Sequence, residues 1–219
     1  TIISGLRLEY PDIPVVSEEG KIGDPKDSEF SWLVDPLDGT KEFIKRNGMF
    51  TVNIALMKKN KSRWDPIIGV VHSPVSNKTW FGNTEKRIAE LTENDSQPRT
   101  ISVSKTIDSP IQLVASGSHR NDRDELFAEA LGAYELIRMG SSLKACIVAE
   151  GSAHLYPRFG PTSCWDIAAA HAVVSAAGGI LVGPDGRNLR YDILDKILNP
   201  YFLVACSSQW NSLWINNQD

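Results

Sequence analysis

Two carboxylates stand three residues apart in the stretch Trp32-Leu33-Val34-Asp35-Pro36-Leu37-Asp38-Gly39-Thr40, where three apolar residues suited to the end of a strand run into a proline and a glycine. Asp, Pro and Gly are turn residues in their own right, so a plain turn is one reading. The other is a cation site, in which the turn aims both acids at one ion. Pro36 suits the second, because its fixed φ and missing N–H leave the Leu37 carbonyl free to point at the same ion. Glu18-Glu19 closes a short apolar stretch, and Asp166 opens a very apolar helix. Each has an ordinary reading: a solvated strand end for the glutamates and a helix N-cap for the aspartate. Together they place four carboxylates at element ends, where α/β folds hold ligands.

The chemistry of such a set is oxygen-only. Carboxylates and a carbonyl, with no Cys or His beside them, suit Mg²⁺ or Mn²⁺ rather than Zn²⁺. Converging acids repel one another unless a cation lies between them. Two cations about 3.5–4 Å apart would form a clamp for in-line displacement at phosphorus. Gly39 and Thr40 then gain a purpose, because Lys41-Glu42-Phe43-Ile44 can start a helix whose free N–H groups face a phosphate.

These residues need a scaffold, and the chain can build one. It has 219 residues, 42% hydrophobic and 23% charged, which supports a sizeable core. A formal net charge of −4 argues against general nucleic-acid binding. Apolar stretches are broken well before the ~20 residues of a membrane span. Cys146, Cys164 and Cys206 are far apart and odd in number, which fits reduced thiols in a cytoplasmic protein. The histidines show no ligand spacing.

Along the chain, Ile2, Ile3 and Leu6 suit the tail of an amphipathic helix, so the natural protein is expected to begin earlier. Residues 15–19 read as a short strand ending in acids, 20–30 as a polar loop, and 32–34 as a strand before the acidic turn. Residues 50–57, 67–72 and 79–81 read as an antiparallel meander with a basic turn at 58–61. Residues 84–100 read as loop or edge strand. From about residue 111 the texture alternates: strand at 113–116, helix at 122–131 closed by Gly132, helix at 142–149, strand at 154–158, and a long apolar helix at 166–177 stopped by Gly178-Gly179. The expected fold is a layered α/β architecture in two tightly joined parts. Residues 1–108 form a mostly antiparallel part with most of the acids, and 109–219 an α/β part.

Glu18-Glu19, residues 35–40 and Trp165-Asp166 followed by Gly178-Gly179 resemble the lithium-sensitive, Mg²⁺-dependent phosphomonoesterase superfamily, which includes inositol monophosphatases. Residues 35–56, Gly140-Ser141-Ser142-Leu143-Lys144 and residues 155–162 (LYPRFGPT) are similar to its CysQ-type 3′(2′),5′-bisphosphate nucleotidases. The resemblance covers nearly the whole chain and implies an αβαβα sandwich. It implies metal ligation of two or three Mg²⁺ ions, with Mn²⁺ a substitute, by Glu18, Asp35, the Leu37 carbonyl, Asp38 and Asp166. It gives Thr40 and an acidic partner the attacking water, and gives Ser141, Lys144, Arg158 and His119 the nucleotide, with Gly39 beside the reacting phosphate. The implied substrate is adenosine 3′,5′-bisphosphate and the implied location cytoplasmic, or peripheral at the inner membrane. It also implies a helix pair with a Thr-x-Ala-Asp-like segment ahead of residue 1; nothing in residues 1–17 matches that segment.

Read on their own, Lys144 and Arg158 are either the grip on a second phosphate or solvated surface residues. His119 is either a ligand or a plain loop residue, and Lys41, Lys45 and Arg46 either a basic mouth or an exposed helix face. An inositol monophosphatase-like enzyme and an inactive nucleotide- or metal-binding relative are the alternatives to nucleotidase activity.

Overall fold

The structure is a computed structural model that describes residues 2–107, 109–116 and 121–218. Helix α1 (Ile2–Glu9) leads through a proline-marked turn into strands β1 (Val15–Ser17) and β2 (Gly20–Ile22). Then come β3 (Phe30–Asp38), helix α2 (Thr40–Ile44), β4 (Thr51–Asn60), β5 (Arg63–Ser73), β6 (Lys78–Asn83), β7 (Ile88–Glu93) and β8 (Arg99–Thr100). The eight strands form one sheet in the order β2-β1-β3-β4-β5-β6-β7-β8. All neighbours are antiparallel except β1 and β3. The remainder runs β9 (Ile111–Ser116), α3 (Asp122–Leu131), β10 (Tyr134–Met139), α4 (Leu143–Ala149), β11 (Leu155–Arg158), α5 (Cys164–Ala176), β12 (Ile180–Val182), β13 (Phe202–Ala205) and α6 (Asn211–Asn216). Its five strands form a second mixed sheet, in the order β10-β9-β11-β13-β12.

Residue alternation dictates the layering. Along β4, Thr51, Asn53, Ala55 and Met57 are buried while the residues between them are half-exposed, so the first sheet buries one face. The second sheet buries both. Val114, Tyr156, Leu181, Phe202 and Val204 join the core shared with α4, α5 and the first sheet. Their neighbours Leu113, Leu155, Val182, Leu203 and Ala205 pack with Phe127 of α3 and Trp214 of α6 on the opposite face. A sheet covered on both faces needs near-continuous apolar strands, which β13 supplies as Phe-Leu-Val-Ala. The layers are therefore first sheet, α4 and α5, second sheet, then α3 and α6.

Helix α5 is apolar on nearly every side, as a helix enclosed between sheets must be. It lies unusually close to the first sheet. Gly69 and Gly82 face each other across β5 and β6. A Cβ on Gly69 would stand 2.0 Å from the Ala169 carbonyl oxygen, and one on Gly82 would stand 2.5 Å from Val173 Cα. Hydrogen in place of a side chain opens the trough that seats the helix backbone.

Several expectations are corrected. The acidic stretch is no turn: β3 runs on to Asp38, and between Asp35↔Asn53 and Asp38↔Thr51 it carries one residue more than β4. Pro36, lacking an N–H, falls in that bulge, where no ladder bond is lost. Residues 20–22 form edge strand β2 rather than loop, residues 88–93, read as loop or edge strand, form inner strand β7, and β10, β12, β13 and α6 were not anticipated. Strand β4 continues through the expected basic turn to Asn60. Asp166 is not the N-cap of α5. Ser163 is, and Asp166 answers it from the third helical position in a capping box.

The glycine trough makes a direct prediction. Gly69→Ala should destabilise the protein by roughly 3 kcal/mol, the scale of forced overpacking, and shift the urea midpoint accordingly. An unchanged midpoint would show that α5 can move away freely.

Candidate active site

The bulge in β3 and the first turn of α5 bring three carboxylates together. Ligand-capable atoms of Asp35, Asp38 and Asp166 all lie within 4.8 Å of one another. Asp35 is 2% exposed, and one of its oxygens accepts the Leu37 N–H at 2.9 Å. Burial, then the charge of Asp38, pushes the Asp35 carboxyl up to about 8. The same two causes in the same order push Asp166 up to about 7. Burial raises Asp38 as well, opposed by Lys144. Acids this close repel one another when ionised, and a cation among them would relieve that repulsion. The cluster's donors are oxygens only, so the residues fit a hard divalent cation.

Glu18 sits at the rim. Parallel pairing of Ser17 with Val34 carries it alongside Asp35, and its N–H donates to the Val34 carbonyl at 3.3 Å. Its side chain is exposed, outside the three that converge, yet its charge is felt by Asp35 and Asp166. Leu37 is half-buried within the bulge.

A cavity of about 220 Å³ opens beside the acids, walled by Asp38, Gly39, Thr40, Ser141, Lys144, Tyr156, Arg158 and Asp166, among others. Gly39 turns the chain out of β3 at φ 93° and acts as N-cap of α2, a helix of five residues. A Cβ there would crowd Ser141 Cβ at 3.2 Å and the Met49 carbonyl at 3.3 Å, so the loop before α4 presses against the loop before α2. Ser141 itself takes φ 46°. Lys144 is 6% exposed; its Nζ donates to the Ser141 carbonyl at 2.6 Å and lies 5.3 Å from the Tyr156 ring centre. Burial lowers its ammonium to about 8 against the pull of Asp38. Arg158 donates one terminal N–H to the Pro161 carbonyl at 3.1 Å, while its buried Nε–H has no partner among the described residues. An orphaned guanidinium N–H on a cavity wall awaits an acceptor. Lys41 also lines the cavity, whereas Lys45 and Arg46 are exposed beyond it. His119 lies outside the described residues.

The site contains residues the sequence reading missed. Asp38 Oδ2 accepts from the Ser142 N–H at 2.7 Å and from Asn53 Nδ2 at 3.2 Å, and the Thr51 hydroxyl oxygen lies 3.3 Å from it. Asn53 also donates to Ser142 Oγ at 2.9 Å, and Ser142 Oγ donates to the Asp166 carbonyl. Their signal was Thr51 and Asn53 at alternate positions of a strand whose next inward residues are Ala55 and Met57. Polar side chains on a buried face need partners there.

Ionisation and cation binding are coupled here, and the sign follows from the raised carboxyls. An acid whose folded value lies above its unfolded value of 3.8 destabilises the fold as pH rises through that interval. Added Mg²⁺ should therefore raise the melting temperature most near about pH 8, and progressively less toward about pH 6, where protons already hold the acids. A Mg²⁺ increment independent of pH, or absent, would contradict this.

Comparison with known proteins agrees with the geometry. The family model described as the inositol monophosphatase family matches residues 1–216. The chain is 45% identical over 210 residues to the 3′(2′),5′-bisphosphate nucleotidase CysQ of Salmonella typhimurium, covering 93% of this chain and 80% of that protein. Identity to the same-named protein of Escherichia coli K12 is 44% over 214 residues, with the same coverage. The crystal structure of CysQ from Bacteroides thetaiotaomicron superposes with a TM-score of 0.80 at 39% identity, covering 91% of this chain and 79% of that one. An inositol monophosphatase from Anabaena superposes at 0.76 with 28% identity, covering 97% and 81%. With its acid cluster at the bulge of β3 and its cations across the same cavity, the chain belongs to the inositol monophosphatase family.

Proposed function

We propose that this chain is a Mg²⁺-dependent 3′(2′),5′-bisphosphate nucleotidase that hydrolyses the 3′-phosphate of adenosine 3′,5′-bisphosphate to AMP and phosphate. One observation carries the reading: a carboxylate cluster and two cationic side chains share one cavity, which suits a substrate with two phosphates. Residues 1–108 then supply most ligands of the cations, through Glu18, Asp35, the Leu37 carbonyl and Asp38. Residues 109–219 supply Asp166 and the contacts to the nucleotide. Bound divalent cations supply Lewis acidity at the phosphoryl oxygens and lower the pKa of water.

The chain's own groups do the rest. Thr40, with Glu18, holds and orients the attacking water. Gly39 and Thr40 flank the reacting phosphate, and Ser141 and His119 contact the nucleotide. Lys144 and Arg158, which line the cavity, neutralise the second phosphate, Arg158 through its guanidinium. The water oxygen forms the new bond to phosphorus as the ester P–O bond breaks, and the released 3′-oxygen takes up a proton. Three unpaired, buried cysteines accord with a reducing, cytoplasmic setting. No helix among the described residues is long and apolar enough to cross a membrane.

A substrate panel tests this. Phosphate release should be fastest from adenosine 3′,5′-bisphosphate, slower from 3′-AMP and inositol 1-phosphate, and dependent on Mg²⁺. Asp38→Asn should cost at least about 100-fold on every substrate. Arg158→Ala should raise KM about 10-fold or more for the bisphosphate and little for the monophosphates. A preference for inositol phosphate, or wild-type turnover in Asp38→Asn, would overturn the assignment.

A further inference from the structure

We propose that Asn53 is the positioning residue of this site: its side-chain amide locks Asp38 into the orientation that serves a cation and ties that orientation to both α4 and α5. The proposal rests on the cation-site reading of the acid cluster and goes beyond it, since Asn53 touches neither cation nor substrate in the scheme above.

Asn53 points inward from β4 and is 1% exposed. Its Nδ2 lies within hydrogen-bond distance of Asp38 Oδ2 at 3.2 Å, Ser142 Oγ at 2.9 Å and the Asp166 carbonyl at 3.4 Å. Those acceptors belong to β3, to the residue preceding α4 and to the first turn of α5. Its Oδ1 accepts the Thr51 hydroxyl at 3.0 Å, which decides which end of the amide faces the acid. Both ends are thus engaged, and a buried amide so engaged has one low-energy orientation.

The consequence for Asp38 is geometric. Two protein donors, the Ser142 N–H and the Asn53 amide, hold its Oδ2, so the carboxyl cannot swing freely, and the amide that holds it also gauges the distance to α4 and α5. Loss of the amide frees Asp38 to rotate and removes a strut between the acids of β3 and α5. The effect should fall on cation affinity and kcat, with little change in KM for nucleotide.

Calorimetric Mg²⁺ titration of nucleotide-free protein reads this directly, comparing wild type with Asn53→Ala and Thr51→Val. Asn53→Ala should weaken Mg²⁺ binding about 10- to 100-fold, the usual cost of losing an outer partner of a metal ligand. Thr51→Val is nearly isosteric and removes the hydroxyl that sets the amide at 3.0 Å and lies 3.3 Å from Asp38 Oδ2, so it should weaken binding by about 3-fold. If Asn53→Ala fails to fold, Thr51→Val decides alone. KM for the bisphosphate at saturating Mg²⁺ should stay within about twofold of wild type in both. Wild-type Mg²⁺ affinity in the folded variants overturns the proposal, as does a raised KM with unchanged cation affinity. Wild-type protein that binds Mg²⁺ yet hydrolyses no bisphosphate overturns only the nucleotidase reading; the Asn53 assignment then stands or falls on the dissociation constants.

Discussion

Backbone packs on backbone where α5 crosses β5 and β6, and that close approach sets the geometry of everything around the cavity. Only hydrogen atoms at Gly69 and Gly82 leave room for the carbonyl of Ala169 and the Cα of Val173. Small residues along the same helix, Ala168, Ala169, Ala170 and Ala172, let both neighbouring layers close in. A helix held this tightly cannot slide, so its first turn delivers Asp166 to one place: beside the bulge of β3, where Asp35 and Asp38 wait. The second sheet then packs over the other side of α4 and α5, so that Lys144 of α4 and Arg158 of β11 line the same cavity as Asp38 and Asp166.

Packing alone would leave that centre unfavourable. Acids partly withdrawn from water and crowded within 4.8 Å of one another are forced upward in pKa, to about 8 for Asp35 and about 7 for Asp166. The fold accepts the cost by satisfying each carboxyl in part: Leu37 N–H on Asp35, Ser163 N–H on Asp166, and the Ser142 N–H and Asn53 amide on Asp38. What these bonds do not supply is positive charge. A divalent cation does, and two phosphates then find complementary charge on both sides of one small space.

Much of this was legible in the sequence, for identifiable reasons. Helix α3 has both its boundaries in plain view, since Asn121 caps one end and Gly132 the other. Strand β9, buried in the second sheet, announces itself as an apolar run, whereas the equally apolar β13 went unread. Parallel pairing of β1 with β3 carries the Glu18 backbone alongside Asp35, while its side chain stays exposed. Other features carry weaker signals. Strand β10 exposes Glu135 and Arg138 at the sheet edge, so its pattern reads as polar. Strand β2 pairs through backbone alone, with no buried side chain to set a period. The bulge in β3 looks like a turn because both use Asp and Pro. The capping box at Ser163 and Asp166 was readable as a Ser-x-x-Asp pattern but was overshadowed by the Asp before an apolar run. Asn53 could be suspected as a polar inward residue, but its partners come from β3, α4 and α5, which only the assembled fold brings within reach.

The central claim is that the acids of the β3 bulge and the α5 first turn form one divalent-cation site. Anomalous diffraction from crystals grown with Mn²⁺ tests it most directly. The account predicts anomalous density among Asp35, Asp38 and Asp166, within about 2.0–2.5 Å of their oxygens. Ordered Mn²⁺ elsewhere with none among these three acids, or a guanidinium or ammonium group occupying their centre instead, would contradict it.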